Sequence, residues 1–359
     1  MEIELFNACL NGKVEEVRAL LQNLQINTNW ENEDYYGTTP FYIACHEGHI
    51  DIVKLLLNDK RIHINQANKF DQTPFYIACH EGHIEIVQLL LLNNERVDIN
   101  KANKYGQTPF STACQNGHIE IVKLLLNDEK IDINKANNYG STPFYIACEE
   151  GHIEVIKLLL SDQRVDINQA DDDTTPFWIV CERGYIEMIK LLLNDKRVDS
   201  INKGDHYGRT PIYIACEKGC IEIIKLLLLH DQRVVDINKA TNNGWTPFHI
   251  VCENGHVEIV EYLLAYKKEI DLKVPNHQGK TAIETARIIK DGESFWESEE
   301  EFQERKIKFT KIVELIESYE RNPYETRTKL RIELGFAGNH FCYFFILFYF
   351  ILFFNDFSS

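Results

Sequence analysis

Along this chain the apolar positions fall into one arrangement that is written out again every 33 to 36 residues. A representative copy opens on a short apolar run, Phe144, Ile146, Ala147 and Cys148, passes through Gly151, and continues with Ile153, Ile156, Leu159 and Leu160 at helical spacing. That spacing predicts two short helices. Thr142 ahead of Pro143 starts the first: the hydroxyl can accept from orphan N–H groups, and proline takes the first helical position, where its missing N–H costs nothing. Gly151 stops it, because glycine enters the left-handed region without a steric penalty. Glu154 then lies in the first turn of the second helix, where negative charge suits the dipole. Val165-Asp166-Ile167-Asn168 is too short and too polar for a third helix, and the Asn/Gly-rich stretch beyond it reads as a hairpin-like turn. The unit is therefore helix, turn, helix, finger.

The same punctuation recurs at Thr39-Pro40, Thr73-Pro74, Thr108-Pro109, Thr142-Pro143, Thr175-Pro176, Thr210-Pro211 and Thr246-Pro247, with a worn copy at Thr281-Ala282. Each copy reads approximately TPFYIAC, then GHIEIVKLLL, then VDINKANNYG. One such unit cannot bury its apolar face alone, so the copies must stack on their neighbours. On these motifs the chain resembles the ankyrin-repeat family, whose T-P-L-H-x-A pattern stands here as TPFYIAC and the variants TPFSTAC, TPFWIVC, TPIYIAC and TPFHIVC. The resemblance covers residues 1 to 320 and implies an all-α solenoid, curved, with short fingers and about nine units including caps. Residues 1–36 lack Thr-Pro but keep the second half of the unit, as an N-terminal cap would. Seven repeats occupy 37–279. Residues 280–320 read as a degenerate C-terminal cap whose two helices are separated by an acidic insert at 291–304, and 321–359 form a tail.

Composition narrows the class of partner. The formal charge of −17 argues against nucleic acid, since phosphate contacts need clustered Lys and Arg, and favours a basic or neutral protein. The opening MEIELFNACLNGK is polar and acidic, unlike a secretion signal, so the repeats are expected in the cytoplasm or nucleus.

Cys9, Cys45, Cys79, Cys114, Cys148, Cys181, Cys216 and Cys252 fall once per unit, at the end of the first helix. Packed helices lie roughly 8–10 Å apart, whereas a disulfide needs Cα atoms within about 7 Å, so reduced core thiols are expected. His49, His83, His118, His152 and His256 likewise stand once per unit after the turn glycine, a slot that Tyr185 and Cys220 fill elsewhere. A metal needs ligands that converge within about 2 Å of one ion, which such a column does not supply. No metal or cofactor is expected. No nucleophile elbow, H-E-x-x-H, phosphate-binding glycine loop or kinase signature occurs, and the chain is expected to be non-catalytic.

The informative positions are those that vary within the fixed frame. The resemblance implies partner contacts from the fingers and first helices on the concave side. Tyr36, Phe70, Tyr105, Tyr139 and Tyr207 precede the turn glycine, or Asp71, in five fingers, and Arg209 and Trp245 follow it in two. Aromatic and Arg residues are enriched at binding hot spots; this row is either a contact ladder or a set of rings packed on the next finger. Glu149, Glu150 and Arg183 belong to a second variable set at the ends of the first helices, whose acidic middle could receive a basic peptide or be a solvated face. The Asp171-Asp172-Asp173 finger is one residue shorter than its neighbours, has no glycine and should interrupt the ladder.

The tail poses a separate question. Arg327, Lys329 and Arg331 precede the run 341–354 (FCYFFILFYFILFF), which opens on Phe341, closes on Phe354 and is wholly apolar or aromatic. As a helix, fourteen residues span roughly 21 Å, short of the ~30 Å hydrocarbon core. Three readings stay open: a membrane anchor, a docking segment, or translated AT-rich sequence without a role. The sequence leaves the oligomeric state undefined and favours a protein-binding scaffold, with a membrane-tethered adaptor as the alternative. A non-catalytic subunit of an enzyme complex is the third reading.

Overall fold

The computed structural model describes residues 1–93, 95–229, 234–266, 270–292 and 297–336. Among them the regular structure is helical apart from two isolated backbone bridges, Asn32–Thr38 and Asp171–Thr174. The helices come as pairs joined by a glycine turn: α1 (Glu2–Leu10) with α2 (Val14–Leu21), α3 (Pro40–His46) with α4 (Ile50–Asn58), α5 (Pro74–Glu81) with α6 (Ile84–Leu91), and α7 (Pro109–Gln115) with α8 (Ile119–Leu126). The series continues with α9 (Pro143–Glu150) and α10 (Ile153–Ser161), α11 (Pro176–Arg183) and α12 (Ile186–Asn194), α13 (Pro211–Glu217) and α14 (Ile221–Leu229), and α15 (Pro247–Asn254) and α16 (Val257–Ala265). Three more follow: α17 (Ala282–Asp291), α18 (Glu299–Arg321) and α19 (Pro323–Glu333). The pairs fall into two compact units, Met1–Ser200 and Ile201–Ser359.

Each Thr-Pro pair starts its helix as the sequence predicts. The Thr39 hydroxyl accepts from the Tyr42 N–H at 3.1 Å, Thr73 from Tyr76 at 3.1 Å and Thr142 from Tyr145 at 3.2 Å, with proline in the first turn each time. In the first unit Phe41, Phe75, Phe110, Phe144 and Phe177 are fully buried; Ile212 and Phe248 hold the same place in the second. Burial of each such side chain contributes about 1.5–3 kcal/mol. Alanine or valine, then cysteine, beside them lets neighbouring first helices pack side by side. Burial pushes the thiols of Cys45, Cys79, Cys114, Cys148 and Cys181 well above the usual thiol range.

Polar side chains then fasten each unit to the one before it. In the first unit the slot histidines face the preceding repeat: His83 Nε2 lies 2.8 Å from the His46 carbonyl, His118 Nε2 2.8 Å from that of His80, and His152 Nε2 2.7 Å from that of Gln115. The rings sit so close over the preceding turn that a Cβ on Gly82 (φ +82°) would come 2.6 Å from His118. The asparagine of each VDIN segment is a second fastening. Asn100 donates to the Lys130 carbonyl at 2.6 Å and accepts from the Asp132 N–H at 3.0 Å; Asn134 does the same with Arg164 and Asp166. Arginine supplies a third: Arg61 forks onto Asp59 and donates to the carbonyls of Leu21 and Asn23, and Arg197 caps the end of α10 through the Leu160 carbonyl.

The C-terminal region differs from the sequence expectation. Of the expected acidic insert 291–304, Asp291 still belongs to α17, and residues 299–304 already form the first turns of α18, started by a Ser298–Glu301 capping box. The packed structure also runs past residue 320. Helix α19 lies against α16 and α18, with Leu330 buried and Phe336 5.1 Å from the Tyr262 ring. The cause is amphipathicity too weak to stand out in a highly charged segment, PYETRTKLRIE, in which Leu330 is the buried residue. The apolar run 341–354 lies outside the described residues.

Candidate functional site

Four fingers are organised by an Asn or Asp side chain at the base, buried at Asn68, Asn103 and Asp205 and half-buried at Asn137. Asn68 Oδ1 accepts from the N–H groups of Phe70 (2.9 Å) and Gln72 (3.1 Å); Asn103 and Asn137 repeat the pattern under Tyr105 and Tyr139, as does the Asp205 carboxylate under Tyr207. Successive tips are joined by backbone hydrogen bonds. In the first unit the carbonyls of Tyr36, Phe70 and Tyr105 accept from the N–H groups of Lys69, Lys104 and Asn138, each at 2.9 Å, and in the second unit Tyr207 accepts from Asn242 at 2.9 Å. With their backbones tied in this way, the aromatic rings are left outside: Tyr36 is 62%, Tyr105 48% and Tyr139 63% exposed in the first unit, and Tyr207 54% in the second. Phe70 is half-buried against Tyr36, with centroids 5.2 Å apart.

The Asp171–Asp173 finger breaks the row. Asp172 (φ +40°) and Asp173 (φ +69°) take the positive φ that a glycine would have eased. The Asp171 N–H turns inward to the Thr174 carbonyl at 2.8 Å, and Ser141 Oγ holds the Asp171 carboxylate at 2.6 Å in place of a rung. Burial raises the Asp171 pKa above its ordinary value, opposed by the Ser141 hydrogen bond. Among the described residues no group of three His, Cys, Asp or Glu could hold a metal ion.

Models of ankyrin repeats match residues 5–68, 75–171 and 162–239, and a further ankyrin-repeat model matches 229–286. The chain belongs to the ankyrin-repeat family. No curated protein matches it. Ankyrin repeats are protein-protein interaction modules and are generally non-catalytic.

On the ankyrin scaffold the other sequence candidates divide. Glu149 is neutralised within the first unit by Arg183, whose Nη2 lies 2.8 Å away, while Glu150 is exposed. Arg209, expected at the exposed end of the ladder, is half-buried and braces its own finger: Nη2 and Nε reach Asp205 Oδ2 at 2.7 and 2.8 Å. Trp245 is half-buried, edge-on to His249 at 5.8 Å. Residue-by-residue reading missed the finger-base residues Asn68, Asn103, Asn137 and Asp205. Their recurrence four positions before the residue that precedes Thr-Pro is the signal that marks them.

Proposed function

We propose that this protein is a non-catalytic scaffold that binds a protein partner across its finger tips and the adjoining ends of its first helices, acting in the cytoplasm or nucleus. The observation that supports this reading most directly is the row of exposed tyrosines, Tyr36, Tyr105 and Tyr139, at one position of successive fingers whose backbones are locked together at 2.9 Å. Preorganised aromatic side chains lose little entropy on binding, which is why such residues dominate interface energetics. The test is affinity capture with the wild-type chain and with Tyr105→Ala/Tyr139→Ala, followed by titration of the captured protein. Loss of affinity by tenfold or more with an unchanged helical signal supports the reading; equal affinity moves the contact surface elsewhere.

The apolar run 341–354 favours a second reading, a membrane-tethered adaptor. Among the described residues no helix is long and apolar enough to cross a membrane. Carbonate-wash fractionation of the full chain against a chain ending at Phe336, which retains α19, separates the two: retention of only the full chain on membranes supports the anchor.

A further inference from the structure

In the first unit the finger-base asparagine uses its amide N–H groups within the stack. Asn68 Nδ2 donates to Gln72 Oε1 at 2.8 Å and to the Tyr42 hydroxyl at 3.2 Å; Asn103 Nδ2 donates to Gln107 Oε1 at 3.0 Å and to the Tyr76 hydroxyl at 3.1 Å. A fifth finger, just ahead of α17 in the second unit, is built on the same frame by Asn276. Its N–H donates to the Lys280 carbonyl at 2.9 Å, and its Oδ1 accepts from the N–H groups of Gln278 at 2.9 Å and Lys280 at 3.1 Å. Those two bonds fix which end of the amide is oxygen. The other end, Nδ2, is buried without an acceptor, on a residue only 3% exposed.

Both acceptors of the first-unit pattern have been replaced here. Lys280 stands where Gln72 and Gln107 stand, and an ammonium can only donate. His249 stands where Tyr42 and Tyr76 stand, and its ring is engaged elsewhere: Nδ1 lies 2.7 Å from the Thr246 hydroxyl and Nε2 3.3 Å from the Lys280 carbonyl. Glu284, the acid nearest to Lys280 along the chain, is engaged as well, its Oε2 accepting from the N–H and the hydroxyl of Thr281 at 2.7 and 2.8 Å. Among the described residues no carboxylate forms an ion pair with the half-buried Lys280. One finger therefore holds an amide donor and an ammonium that both lack an acceptor. A buried donor left unmatched is costly, and a charged acceptor bonds it more strongly than a neutral one.

We propose that Asn276 and Lys280 form a receiving site for the carboxylate of an aspartate or glutamate side chain of a protein partner. One carboxylate oxygen takes the place that Gln72 Oε1 and Gln107 Oε1 fill in the first unit, and the other meets the Lys280 ammonium. The site borders the row of sequence candidates, because His249, bonded to the Lys280 carbonyl, is met edge-on by Trp245 at 5.8 Å. The proposal rests on the reading of the chain as a partner-binding scaffold and names the chemistry of one contact. Its local sign is opposite to the formal charge of −17, so it fits a single acidic residue within a segment that is otherwise basic or neutral.

The test uses Lys280→Gln in the full chain, which removes the cation and restores the acceptor of the other fingers. Lys123→Gln, on the exposed face of α8, is the matched loss of charge. Lys280→Gln should melt roughly 1–5 °C above Lys123→Gln, because it satisfies the Asn276 amide; an equal or lower midpoint overturns the site. A phage library of random dodecapeptides, displayed with the C terminus fused so that only side chains offer a carboxylate, is then panned on the wild type. Enriched peptides should carry Asp or Glu at one fixed position, and should lose about tenfold in affinity on Lys280→Gln and nothing on Lys123→Gln. Enriched peptides without a fixed acid, or acidic peptides indifferent to Lys280→Gln, overturn this site and leave the scaffold reading standing. Failure of any peptide family to enrich overturns both.

Discussion

Arg61 couples two repeats and an acid limb of stability. Its guanidinium holds the Asp59 carboxyl below the usual carboxylate range while it donates to the carbonyls of Leu21, the last residue of α2, and of Asn23 beyond it. Arg164 acts on Asp162 in the same way. Because the folded pKa of each aspartate lies below its unfolded value of about 3.9, the contribution is complete above that value and is lost as pH falls through the folded one. Arg61→Ala should therefore cost about 1–3 kcal/mol at pH 7 and flatten the fall in stability below roughly pH 4, read from urea midpoints between neutral and acid pH. A contrasting residue-scale prediction concerns glycine. Gly82→Ala meets both a positive φ and His118 at 2.6 Å, whereas Gly279→Ala meets the positive φ with nothing within 4 Å. Gly82→Ala should be the more destabilising by at least ~1 kcal/mol, measured in parallel thermal melts.

Helices here are individually too short to persist, and the fastenings between them decide which survive. Seven to nine residues is below the length at which an isolated helix is stable, so α3 to α16 depend on packing and on the histidine, asparagine and arginine contacts. Asn100→Ala removes two hydrogen bonds to the next finger and should lower stability by about 1–2 kcal/mol, with hydrogen exchange accelerating first at Asp132. Helix α19 is the element that local sequence left least visible. Ending the chain at Asn322 removes buried Leu330 and the Phe336 contact with Tyr262, and should lower the melting midpoint by roughly 3–10 °C; an unchanged midpoint would show that α19 contributes nothing to the second unit.

For the whole chain the dominant long-range term is a formal charge of −17. Exposed i,i+3 pairs such as Lys157–Glu154 and Lys190–Glu187 add little each, whereas self-repulsion acts over the whole surface and is screened by salt. Thermal stability should therefore rise between about 10 and 300 mM sodium chloride, a direction opposite to that of a fold held together by its surface ion pairs. The same charge favours a basic partner in the proposed binding reading.

Helix starts, stops and the repeating core were legible because they depend on near neighbours. Thr142, Pro143 and Gly151 act within one or two helical turns, and Phe144 recurs at a spacing that names its neighbours in the stack. The exposed tyrosines were legible as positions, but their use was not: whether Tyr105 packs on the next finger or faces solvent depends on Asn138 and the rung it forms a full repeat away. The same holds for polar satisfaction. Nothing local shows that the Tyr42 hydroxyl is answered by Gln72 of the following finger. Sequence determined the repeat and its buried face, because these follow from local geometry and hydrophobic period. Only the tertiary structure decided which hydroxyls, carboxylates and rings remain without partners, because each is answered by a residue in the next repeat.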